Sequence, residues 1–214
     1  MPHSYEEIDS VFFKDGYELA KMIVGSDTSL EKLILLTRTM YDNIDQLIDS
    51  FTGRLRKDEQ ALDCKKGCSW CCTQPVFTNE WEVAYLRQFM RKRFTGDKIV
   101  ELKTKALQKN EEVSAMTDEQ VLKNRIPCPL LHENVCSVYP ARPMACRIYL
   151  SSDLDSCIEE FRNPTNDKYF AKLYEFPFHA GRKMNEGAAK WLDEQGLVIK
   201  ELRLEEGVAG EWIK

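Results

Sequence analysis

The chain has 214 residues, 43% of them hydrophobic and 30% charged, which is enough apolar material for a core and too much for a disordered chain. A net charge of -5 and a pI near 5.4 give no bulk electrostatic ground for a nucleic-acid partner. The longest apolar run, Leu33 to Leu36, is far too short for a bilayer. Met1-Pro2-His3-Ser4-Tyr5-Glu6-Glu7 shows neither a basic n-region nor an apolar h-region, so the expectation is a cytoplasmic chain with no membrane contact.

Residues 1–27 read as a lead-in with one short helix around Asp15 to Val24. From Thr28 the helical period is strong. Leu30, Leu33, Ile34, Met40, Tyr41, Ile44, Leu47, Ile48 and Phe51 recur at steps of three and four and form one apolar stripe. Glu31 early and Arg54 and Arg56 late suit the helix dipole. Breaks are expected at Lys65-Lys66-Gly67 and at Gln74-Pro75. Thr78-Asn79 then predicts an N-cap for a helix carrying Trp81, Ala84, Tyr85, Phe89 and Met90. The basic run Arg87-Gln88-Phe89-Met90-Arg91-Lys92-Arg93 reads as that helix's solvated face.

Residues 97–124 read as one or two charged helices, with a restart at Thr117-Asp118-Glu119. Between 126 and 165, Pro127, Pro129, Pro140, Pro143 and Pro164 preclude long helices and predict turns and extended segments. Phe178 to Gln195 resumes the helical pattern through Ala180, Met184, Ala188, Trp191 and Leu192, and Gly196 stops it. Leu197 to Leu202 reads as a short strand or an extended tail. The fold class expected is mainly α: a helical domain with an irregular Pro/Cys-rich segment that encloses a metal site. We divide it into an N-terminal helical region (1–63), a cysteine-cluster metal-binding domain (64–160), and a C-terminal helix and tail (161–214) packed on that same domain.

Eight cysteines fall in two groups, Cys64-x3-Cys68-x2-Cys71-Cys72 and Cys128-x7-Cys136-x9-Cys146-x10-Cys157, with fifty-five residues between them. In a reducing compartment such clusters read first as metal ligands and second as redox thiols. Four cysteines within nine residues are too dense for isolated buried thiols. If residues 64–72 were helical, all four would share one face. If Gly67 breaks the helix, Cys68-x2-Cys71 forms a knuckle that offers two thiolates to one ion.

The candidate ligands are Cys64, Cys68, Cys71, Cys72, Cys128, Cys136 and Cys146. Adjacent Cys71 and Cys72 project apart, so one of them can lie outside the ligand set. Cys157, isolated in Asp155-Ser156-Cys157-Ile158, is left out of it. His132 reads as a turn residue and His179 has no partner motif. Four thiolates suit either tetrahedral zinc or an iron–sulfur cluster, and the zinc signature of two evenly spaced C-x2-C knuckles is absent. No Ser/His/Asp set or carboxylate pair stands out, so the residues assign no catalytic group.

The run Cys68-x2-Cys71-Cys72, then Cys128-Pro129-Leu130-Leu131, then Cys136-Ser137-Val138-Tyr139-Pro140-Ala141-Arg142-Pro143-Met144-Ala145-Cys146-Arg147, resembles the CxxCxxCC family of YkgJ-type cysteine-cluster proteins. The resemblance spans about residues 64 to 150 and implies a zinc- or iron-chelating domain. One departure is visible: three residues, not two, separate Cys64 from Cys68. The same domain resembles part of flagellin lysine N-methylase, which is linked to an iron–sulfur cluster and methyl transfer. That likeness implies iron, with a 4Fe-4S cluster favoured and zinc the alternative. It does not imply a methylase, because no Gly-rich nucleotide fingerprint follows a strand here.

The expected function is a metal-binding, iron–sulfur protein with a redox role or a role auxiliary to a modification reaction, with an unidentified protein as its partner. A zinc-stabilised interaction module without catalysis is the first alternative. A thiol redox protein using Cys68 and Cys71, or Cys71 and Cys72, is the second. Pro143 at the first position of a short helix would put Cys146 in its first turn, where backbone N–H groups favour thiolate. Arg142 and Arg147 are expected to offset the charge of a thiolate-ligated centre, with pairing to surface acids the alternative, and Tyr139 to pack.

Overall fold

A computed structural model of the chain describes residues 5–60, 62–65 and 67–212; Met1, Pro2, His3, Ser4 and Lys66, named above, lie outside them. Helix α1 (Tyr5–Ile23) begins well before Asp15, because its first half also finds a partner: Phe12 meets Phe176 edge-on, with centroids 6.0 Å apart. Helix α2 (Leu30–Lys57) follows the periodic stripe, burying Leu36, Met40, Tyr41, Ile44 and Ile48. Helix α8 (Glu175–Glu194) runs along α1 and turns Ala180, Met184, Ala188 and Leu192 into the same core. Gly196, at φ +82°, ends it as the sequence suggests.

The α1–α8 contact is a backbone contact. A Cβ on Gly187 would lie 1.9 Å from the Phe13 carbonyl oxygen, and one on Gly16 would lie 2.0 Å from that of Met184. Glycine is required at both places for lack of space, not for an unusual φ.

Strand β1 (Phe77–Asn79) pairs antiparallel with β4 (Glu201–Arg203), in the register Phe77 to Arg203. The Leu197–Leu202 segment therefore ends in a true strand. Helix α3 (Glu80–Arg93) starts at the expected cap, with the Asn79 N–H donating to Glu82 Oε2 at 3.2 Å. Helix α4 (Gly96–Ser114) is followed by α5 (Asp118–Lys123), whose N-cap Thr117 makes a capping box with Gln120. With α9 (Leu204–Ala209), α3 and α4 bury a second core of Leu86, Met90, Leu102, Leu204 and Val208.

The basic run on α3 is not wholly solvated. Arg87 Nε donates to the Gly207 carbonyl at 3.0 Å, and Arg87 and Arg91 both lie over the Trp212 ring. That side of the helix is fastened to the C-terminal segment.

The Pro/Cys-rich part is made of short pieces. A 3-10 turn spans Trp70–Thr73, and β2 (Leu131–His132) pairs with β3 (Val135–Cys136). Glu133 and Asn134, at φ 49° and 61°, close that hairpin with the two left-handed residues its tight turn needs. Helix α6 (Met144–Arg147) is one turn long. Helix α7 (Leu154–Arg162) goes beyond the turns expected here, and it fits into the proline-free stretch between Pro143 and Pro164. The chain is mainly α, as expected. Among the described residues, no helix is long and apolar enough to cross a membrane.

Candidate metal centre

Gly67 adopts φ +94°, a left-handed conformation that an ordinary side chain resists, so residues 64–72 do not form one helix. The knuckle forms instead. The Cys68 N–H donates to the Lys65 carbonyl at 3.0 Å, and the Cys72 N–H to that of Ser69 at 2.9 Å. The Cys128 N–H then donates to the Cys72 carbonyl at 2.7 Å, which fastens the second cysteine group to the first. Cys64 is held at the far side, its N–H on the Ser151 carbonyl at 3.4 Å and its Sγ 3.8 Å from the Tyr149 carbonyl.

All eight cysteines are free and half-buried. Their mutual fields show which are neighbours. Cys64 responds to Cys71, Cys68 and Cys157, and Cys157 to Cys68 and Cys71. Cys72 responds to Cys71, Cys128 and Cys136, and Cys146 to Cys128, Cys71 and Cys136. Two groups therefore meet at Cys71: Cys64, Cys68 and Cys157 on one side, and Cys72, Cys128, Cys136 and Cys146 on the other. A cavity of about 20 Å³ lies among Cys64, Cys68, Cys71 and Cys157.

Burial pushes most of these thiols up, Cys64 to about 11 and Cys128 to about 12. Cys136, Cys146 and Cys157 are raised for the same reason. Cys71 goes the other way, because the Cys72 thiol donates a hydrogen bond to it and so favours its thiolate; Cys72 is correspondingly raised. The Arg142 guanidinium lowers Cys71, Cys136 and Cys146, which agrees with the role expected of it. It also lies 3.9 Å over the Tyr139 ring, so Tyr139 packs, as expected.

Arg147 does not share that role. It is buried at 1% exposure, pairs with Asp45 on α2, donates to the Arg142 carbonyl at 2.9 Å and lies 4.0 Å over Tyr41. It ties α6 to the helical core. Pro143 is the N-cap of α6 and not its first residue, one position from the expected place, and Cys146 still falls in the first turn.

Neither described histidine is seen to contact a cysteine side chain. His132 is exposed in the β2–β3 hairpin, and His179 stacks on Tyr5 and contacts Asp9 at 2.8 Å. Sequence reasoning missed Cys157, because only the fold of α7 returns it to Cys68 and Cys71. It also missed a polar knot beside them: Gln74 Nε2 donates to Glu160 Oε2 at 2.7 Å and to Tyr149 Oη at 2.9 Å, and the Tyr149 hydroxyl donates to Glu160 at 3.1 Å.

Among the described residues, no three His, Cys, Asp or Glu side chains stand as a ready ligand set for one ion. The fit to a metal rests on the chemistry of the donors. They are soft sulfurs gathered from two chain segments, and thiolates of this kind suit zinc and iron–sulfur clusters rather than hard cations.

A family model described as "CxxCxxCC: Putative zinc- or iron-chelating domain" matches residues 63–173, more than half of the chain. The chain belongs to the CxxCxxCC family. The match runs past residue 150 and takes in all eight cysteines and α7. Membership of this zinc- or iron-chelating family agrees with metal binding by the cysteine cluster. No curated protein and no solved structure matches the chain.

Proposed function

We propose that this CxxCxxCC protein holds an iron–sulfur cluster, of the 4Fe-4S type, and uses it in a redox role or as an auxiliary to a modification reaction. Cys64, Cys68, Cys71, Cys72, Cys128, Cys136 and Cys146 are the candidate ligands, and Cys157 joins them by position. When bound, such a cluster supplies one-electron chemistry. The observation that carries the reading is access. Cys71 and Cys146 line a cleft of about 570 Å³, whereas structural zinc sites are closed. Clustered cysteines that read as metal ligands suit a reducing compartment, so we place the protein in the cytoplasm. An auxiliary role calls for a protein partner, and neither nucleic acid nor a membrane enters the reading.

Protein prepared without oxygen is expected to be brown and to contain iron and sulfide in matched amounts, with visible and paramagnetic-resonance spectra of a cluster. Colourless protein with stoichiometric zinc would overturn iron. That second reading, a zinc-stabilised interaction module, is favoured by the 20 Å³ cavity among Cys64, Cys68, Cys71 and Cys157, which has room for about one water-sized body. A thiol redox role draws on the thiolate-favouring contact between Cys71 and Cys72. It predicts a reversible Cys71–Cys72 disulfide by mass spectrometry of metal-free protein.

A further inference from the structure

A second cleft, of about 330 Å³, lies in the helical frame between the start of α2, one face of α3 and the chain that follows α8. Among the described residues its lining holds no cysteine, so its size does not depend on what the centre holds. It falls within the range of small-molecule sites, roughly 300–1,000 Å³. Gly196 ends α8, the Leu197 N–H donates back to the Leu192 carbonyl at 3.1 Å, and residues 197–200 run outside any helix or strand until β4. That stretch forms one wall. Trp81 and Leu192, at 4% and 0% exposure, form the floor, and Leu30 and Val198, at 44% and 84%, flank the opening.

The charges in this lining are ordered. Glu80, Ala84, Arg87 and Arg91 follow one another at steps of four, three and four, so they share one face of α3. Along the helix axis Glu80 sits about 10 Å from Arg87 and about 16 Å from Arg91, which leaves the two guanidiniums together at one end. Arg87 is half-buried and Arg91 exposed, so a molecule in the cleft can reach both. Arg87 donates to the Gly207 carbonyl through Nε at 3.0 Å and to the Glu211 carbonyl through Nη1 at 2.7 Å. These neutral oxygens fix the guanidinium without cancelling its charge. Burial lowers the Arg87 pKa, the neighbouring Arg91 lowers it further, and Glu80 makes the smallest, opposing contribution. A carboxylate at that end would relieve the repulsion between the two cations.

We infer that this cleft binds an aliphatic carboxylate, with its chain among Leu33, Trp81, Ala84, Leu192 and Leu202 and its carboxylate at Arg91, beside Arg87. The apolar lining selects the chain, and the paired guanidiniums select the charge. The site goes beyond the metal reading and stands whether the centre holds iron or zinc.

The test uses the full chain as purified, with its metal, and three probes of equal chain length: octanoate, octanol and octylamine. Affinity is read by calorimetry. Place is read by amide shifts, which should move in residues 30–33, 80–91 and 197–202. Octanoate is expected to bind tightest, octanol about tenfold weaker and octylamine weaker still, since a hydrogen bond to a charged group is worth about tenfold or more. Arg91→Gln should bring octanoate down to the affinity of octanol, which itself should hold. Val198→Glu, at the exposed rim, should weaken octanoate at least about tenfold and strengthen octylamine.

Ala84→Trp, which fills the cleft, should abolish binding of all three. Arg91 and Val198 are exposed, so their variants keep the test open if Ala84→Trp fails to fold. Equal binding of the three probes, octanoate affinity unchanged in Arg91→Gln, shifts confined to another part of the chain, or no binding at all would each overturn the site.

Discussion

The helical frame and the cysteine segment of this chain are held by opposite means. In the frame, α1 and α8 touch backbone to backbone at Gly16 and Gly187, and Leu36, Met40, Ile44, Ala180 and Leu192 are buried between the helices. In the cysteine segment, α7 and the 3-10 turn at Trp70–Thr73 have no buried residue, and every cysteine is only half-buried. Apolar burial therefore specifies the frame without help. Leu130, Val138, Ala141, Met144 and Ile148 anchor the middle of the segment in the same cores. Its two outer pieces, residues 67–73 and 154–162, have little apolar burial and are expected to depend most on what the thiols hold.

Removing the metal is the strongest way to break that comparison. A chelator is expected to speed amide exchange in residues 67–73 and 154–162 by about a hundredfold or more, with α1, α2 and α8 nearly unchanged. Equal loosening of the frame would show that the two regions share one stability. Single thiols sharpen the same point. Cys71→Ser, which removes the sulfur common to both groups, should lose most of the bound metal. Cys157→Ser, at a cysteine outside the expected ligand set, should lose less, as metal analysis would reveal.

The frame can be attacked alone. Gly187→Ala forces a methyl against the Phe13 carbonyl and should lower the unfolding free energy by about 3 kcal/mol in urea melts, with metal content intact. Glu82→Gln strikes the seam between the regions, since Glu82 joins Tyr41 of α2, Met144 of α6 and Asn185 of α8. A loss of about 2 kcal/mol is expected, accompanied by faster release of metal to a chelator. Release at the unaltered rate would mean that the seam carries no load between the two.

A further effect is one of pH. Burial raises Cys64 to about 11 and Cys128 to about 12 in the folded metal-free chain, from an ordinary thiol value near 9. These groups stabilise the fold fully below pH 9, and that contribution is lost as pH rises through their folded values. Metal-free protein should accordingly melt lower at pH 10.5 than at pH 8. The metal-loaded form, whose ligating thiolates no longer titrate, should lose less; parallel losses would contradict the assignment of these thiols to the centre.

Much of the frame was legible in the sequence because its signals are local. The α2 stripe, the caps at Asn79 and Thr117 and the stop at Gly196 are each set within a few residues. The helix-or-knuckle choice at Cys64–Cys72 was open until Gly67 took its left-handed conformation. What stayed hidden depends on distant partners. Gly16 and Gly187 look like weak points within helices until the opposing backbone is in view. Arg142 and Arg147 look alike five residues apart, yet one faces the thiols and the other faces Asp45. Cys157 appears isolated, and only the packing of α7 on the 3-10 turn brings it to Cys68.

The hydrogen bond from Cys128 to the Cys72 carbonyl has a consequence for how the centre is loaded. Fifty-five residues lie between those two cysteines, and bringing the ends of a flexible loop that long together costs about 3–4 kcal/mol in chain entropy. Here the intervening chain is α3, α4 and α5, with α3 packed on α2 and α4 on α9, so that closure is complete once the helices have folded. An incoming metal then meets thiols already at high local concentration. Its affinity is spared a penalty of about two to three orders of magnitude, and folding of the frame comes before assembly of the centre.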